Sequence, residues 1–164
     1  MSIHWASAMV VAVFSCTALV GCGGQAGTPQ AGTSADATIP DPHDVPITEA
    51  DVQMPTNFAD AIPRIWAYRD TIRAEAQGTT PGKAHRALDE LDIVLGKLPA
   101  IARDSGVPKE HWEAINTTAR ELRDLFNQVH AAIDDGRTPD YAAVAEPIEQ
   151  AIDRLASFAP QAAQ

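Results

Sequence analysis

Two histidines and two aspartates have the residue types and spacing that suit metal chemistry: His85 with Asp89, and His130 with Asp134. Four residues separate the members of each pair, which places imidazole and carboxylate on one face of a helix. Imidazole nitrogen and carboxylate oxygen are ligands suited to zinc and copper, so the four together predict a divalent-metal site. The competing reading is two solvent-facing histidines beside ordinary aspartates. At 100° per residue, His85 falls far from the Leu88-Leu91-Leu95 stripe and His130 sits at the edge of its own. Elements that bring the two pairs level decide between these readings.

From about Thr56 to Phe158 the chain has helical periodicity broken by short Gly and Pro punctuation. Four apolar stripes follow. The first is Phe58, Ile62, Ile65, Ile72 and Ala76, ending at Gly78, and the second is Ala84, Leu88, Leu91, Leu95, Leu98 and Ala102, ending at Ser105-Gly106. The third runs from Trp112 through Ile115, Ala119, Leu122, Phe126 and Val129 to Ile133 and stops at Gly136. The fourth starts at Thr138-Pro139 and carries Tyr141, Val144, Ile148, Ala151, Ile152 and Leu155. Short connections make consecutive helices antiparallel, so the expected fold is all-α, an up-down-up-down four-helix bundle over residues 54–158 with a tail at 159–164. His85 lies 106 − 85 = 21 residues before Gly106 and His130 lies 130 − 106 = 24 after it, so the two come level in the hairpin.

Several residues complicate this bundle. Thr80 with Pro81 reads as the capped start of the second helix, and Gly78 to Ala84 shares the string Gly-x-Thr-Pro-x-x-Ala with Gly136 to Ala142, so the two odd-to-even connections are expected to use one turn chemistry. Pro63 is harmless if Asp60 caps the first helix, whereas Pro99 and Pro147 predict a loosened last turn in the second helix and a kink or restart in the fourth. Arg69 falls on the apolar stripe of the first helix, between Ile65 and Ile72. As a buried charge it requires a carboxylate or carbonyl partner, or an escape of its head to water. Trp66 and Tyr68 lie off that stripe, where they either present a docking face or cover a second seam of the bundle.

Ahead of the helices, an apolar stretch from Ala8 to Val20 closes on Leu19-Val20-Gly21-Cys22. An apolar residue three before a cysteine and a small one immediately before it resemble the lipobox of bacterial lipoprotein signal peptides, although the n-region lacks Lys and Arg. The resemblance covers residues 1–22. It implies a signal peptide at 1–21, cleavage before Cys22, lipidation of the Cys22 sulfur, and a location in the cell envelope, anchored to a bacterial membrane. Two or three acyl chains, at about 0.8 kcal/mol per buried methylene, hold a protein at a membrane almost permanently. The signal peptide also removes Cys16, so the exported domain has no disulfide. Residues 22–53 have too few large apolar side chains to build a core and read as a disordered linker with a span of roughly 30 Å.

The formal net charge of −10 belongs wholly to the exported part, because residues 1–21 hold no Lys, Arg, Asp or Glu. That sign argues against nucleic acid and anionic headgroups and allows cations or a basic protein. No nucleophile elbow, phosphate-cradling loop or His-Glu-x-x-His motif is present, so no catalytic role is expected. The architecture resembles haem-binding four-helix proteins such as cytochrome c prime, but Cys-x-x-Cys-His is missing and the fourth helix holds no histidine. Two functions remain: a tethered, non-catalytic interaction or scaffold module with an envelope protein partner, or a divalent-metal-binding protein using His85, Asp89, His130 and Asp134.

Overall fold

The computed structural model describes residues 46–159. Four helices follow one another: α1 (Phe58–Ala76), α2 (His85–Asp104), α3 (Trp112–Asp134) and α4 (Tyr141–Ser157). Each packs on its chain neighbour, and α1 also meets α4, which closes the up-down-up-down four-helix bundle expected from the periodicity. The four stripes meet in one core. Ile65 and Ile72 of α1, Leu91 and Leu98 of α2, Leu122 of α3 and Ile152 of α4 are fully buried. Each such side chain contributes about 1.5–3 kcal/mol of transfer free energy, enough to explain why α1 forms despite its weak amphipathicity. Trp112 is the exception among the stripe residues, being half-buried at the rim, where its Nε1 donates to the Val107 carbonyl at 2.8 Å. No helix of the described residues is long and apolar enough to cross a membrane.

The helix ends show which sequence signals act. Asn57 caps α1, its side chain accepting from the Asp60 amide at 2.9 Å, and Ser105 ties the far end of α2 to that cap by accepting from the Phe58 amide at 2.8 Å. Gly106 and Gly136 adopt φ of +74° and +67°. After each, the chain folds back in a Schellman motif: Val107 and Arg137 donate to the Ala102 and Ala132 carbonyls at 3.0 and 2.8 Å. Gly78 has no positive φ, and the chain after it enters a 3-10 turn at Pro81–Ala84 without a side-chain bond from Thr80, whereas α4 is capped by Asp140. The two Gly-x-Thr-Pro-x-x-Ala strings therefore fold differently. The residue that accepts the first helical amide, Asp140 in one case only, decides the turn.

Pro63 is the sixth residue of α1 rather than part of its first turn, because the cap is Asn57 and not Asp60. Helices α2 and α4 run uninterrupted through Pro99 and Pro147, so the fourth helix does not restart. Pro63 and Pro147 are exposed, and the carbonyls they leave unpaired belong to exposed Ala59 and Ala143, where water satisfies them.

Residues 46–53, which composition assigned to the linker, pack on the bundle. Val52 is buried, Ile47 and Met54 rest against the core, and a 3-10 turn at Glu49–Asp51 is closed by a Thr48–Asp51 capping box. Glu49 pairs with Lys97 of α2 at 2.5 Å, and Arg64 of α1 donates to the Gln53 carbonyl at 3.1 Å. A few well-placed apolar residues dock a segment that could form no core alone.

Candidate metal centre

His85 is the first residue of α2, and His130 and Asp134 occupy the last turns of α3. The antiparallel hairpin brings these positions to the same end of the bundle, where the two imidazole rings lie 5.1 Å apart between centroids, tilted by 49°. Asp134 Oδ1 is 3.1 Å from His85 Nε2 and 3.7 Å from His130 Nε2. One ligand atom from each of the three side chains lies within 4.8 Å of the others. Zinc bonds of 2.0–2.1 Å in a tetrahedron separate ligand atoms by about 3.3 Å, a spacing near the 3.1 and 3.7 Å from Asp134 to the two imidazoles.

The end of α3 carries uncompensated negative charge. A helix C-terminus carries the negative end of the peptide dipoles, which disfavours carboxylates, yet α3 ends on Asp134 with Asp135 as its cap and no basic residue in the last turn. Asp135 is matched by Arg137 at 2.8 Å. Among the described residues, the ion-pair partners of Asp134 are the two histidines. The Nε2 of His85 is buried and has no hydrogen-bond partner among the described residues, because its approach to Asp134 is close but misaligned.

Asp89 does not join the site. Along α2, four residues forward lead about 6 Å toward Gly106, and along antiparallel α3 the same step leads about 6 Å away from it. The two aspartates therefore diverge while their histidines meet. Asp89 instead lines a groove of about 430 Å³ between α2 and α3, with His130, Asn127 and the Asp92–Arg123 pair, whose two bonds measure 2.5 and 2.9 Å.

Arg69 receives the carboxylate its position demanded: its Nη1 donates to Glu149 of α4 at 2.8 Å, and its guanidinium lies 4.3 Å over the Trp66 ring. Its Nε lies 3.2 Å from Asp70 without hydrogen-bond alignment. Trp66 is half-buried beneath that charge, and Tyr68 is half-buried and donates to Glu90 of α2 at 3.0 Å, so both cover seams of the bundle. Burial, and then the bond to Glu90, push the Tyr68 phenol up to about 12, while burial, against the opposing charges of Arg69 and Arg73, pushes Tyr141 to about 12. Cys22 lies outside the described residues. No family model, curated protein or solved structure matches this sequence.

Proposed function

We propose that this chain is a lipid-tethered, non-catalytic protein of the bacterial cell envelope whose helical bundle holds one divalent transition-metal ion through His85, His130 and Asp134. The observation that carries the metal reading is the convergence of these three side chains at the end of α3, whose last turn holds no basic residue. Two imidazoles and one carboxylate, with no thiolate, select borderline ions such as zinc or copper(II) over calcium and magnesium, which require more oxygen ligands. Three protein ligands leave at least one position for water, an arrangement suited to exchange rather than to permanent structural binding. The tether rests on the resemblance of Leu19-Val20-Gly21-Cys22 to a lipobox.

The mature chain, purified in detergent and dialysed against zinc and copper(II), is expected to retain about one equivalent of metal by plasma mass spectrometry. The His85→Ala/His130→Ala double variant is expected to lose it. Equal retention by both proteins removes this site. For the tether, intact-mass measurement is expected to show an acylated Cys22, and a Cys22→Ser variant without change in membrane fractionation removes that part of the reading.

A further inference from the structure

The groove beside the metal centre is lined in part by residues outside the four helices. Asp89, Arg123, Asn127 and His130 line it from α2 and α3, and it is lined as well by Pro46 and Ile47. These two residues begin the strap of residues 46–53. The strap is fastened at its far half by buried Val52, by the Glu49–Lys97 pair and by the Arg64 bond to Gln53. Its near half differs: among the described residues no hydrogen bond or ion pair holds Pro46 or Ile47, and Ile47 rests on the core by apolar contact.

We infer that Pro46 and Ile47 are positioning residues for the metal, and that docking of the strap sets how long the ion is retained. The inference rests on the metal reading above. His130 is 29 % exposed at its side chain and serves both the metal cluster and the groove. With the strap docked, Pro46 and Ile47 occupy part of the groove that His130 also lines, and so restrict the space into which its ring can turn. With the strap lifted, the ring turns freely and its nitrogen loses its fixed aim at the ion. Groups around a metal that orient its ligands matter nearly as much as the ligands themselves. The strap is also the direct continuation of the segment that leads to Cys22. A pull or a partner acting on that segment would therefore act on metal retention without touching a ligand.

Cobalt(II) tests this, because its visible absorption reports the coordination geometry while a chelator reads its release. In the mature chain, Ile47→Asp is expected to release cobalt faster by about tenfold or more and to alter the absorption bands, whereas Ile47→Val behaves as wild type. Lys97→Ala, which removes only the strap's ion pair, is expected to accelerate release to a smaller degree. Wild-type release and an unchanged spectrum in both Ile47→Asp and Lys97→Ala overturn the strap inference alone. A wild-type chain that takes up no cobalt at His85 and His130 overturns the metal reading and the strap inference together.

Discussion

His85 Nε2 lies 3.1 Å from Asp134 Oδ1 across the α2–α3 hairpin, close enough for attraction but misaligned for a hydrogen bond. A carboxylate at the end of a helix, near two imidazoles and without a fixed cation, favours binding at the expense of the metal-free fold. Asp134→Asn is accordingly expected to lower metal affinity while leaving the metal-free protein as stable as wild type or more stable, by about 0.3–1 kcal/mol. Urea unfolding with a chelator, beside zinc titration of the same variant, checks both signs; a variant that loses stability without metal contradicts the dipole argument.

Burial raises the Tyr141 phenol to about 12, and Tyr68 is raised similarly by burial and Glu90. A phenol that stays protonated in the fold but ionises near 10 when unfolded adds stability that is complete below pH 10 and is lost as pH rises toward 12. For Tyr141, which is almost fully buried, the loss amounts to about 2–3 kcal/mol. Unfolding measured between pH 9 and pH 12, the window set by the cited shifts, is expected to show this decline, and Tyr141→Phe should flatten it. The same variant is expected to be neutral or stabilising at pH 7, because the Tyr141 hydroxyl has no partner among the described residues.

Glu149 holds the buried guanidinium of Arg69 across the α1–α4 seam at 2.8 Å. Glu149→Ala leaves that charge with Asp70 at 3.2 Å and the Trp66 face alone, and is expected to cost about 1–2 kcal/mol. A double-mutant cycle with Arg69→Met isolates the pair, and a coupling of zero would show that the Trp66 face suffices.

Pro147 sits exposed inside α4 and removes one amide from its ladder. Pro147→Ala is expected to stabilise the bundle by about 2 kcal/mol, the regained helical bond outweighing the added freedom of the unfolded chain. Chemical denaturation gives the number directly, and a destabilised variant would mean that Pro147 itself contributes to the packing of α4 in the bundle.

The stripes of Ile65-Ile72, Leu91-Leu95-Leu98 and Ile148-Ile152 made the helices legible, because burial demands a 3.6-residue period and little else satisfies it. The matching distances of His85 and His130 from Gly106 made the meeting of the imidazoles legible as well. The failure of Asp89 was also readable in principle, since equal steps along antiparallel helices lead in opposite directions. Asn57 rather than Asp60 as the α1 cap was not readable: both residues are good caps, and Ser105, from a distant loop, fixes the start by accepting from the Phe58 amide.

Residue order alone determined the four helices, their antiparallel course and the level placement of two histidines, because these follow from periodicity, chain connectivity and short loops. Tertiary structure alone decided which aspartate completes the cluster, that Arg69 is answered by Glu149, 80 residues away, and that Pro46 and Ile47 line the same groove as His130. Those outcomes depend on side-chain directions and on contacts between segments far apart in the chain, which no local pattern encodes.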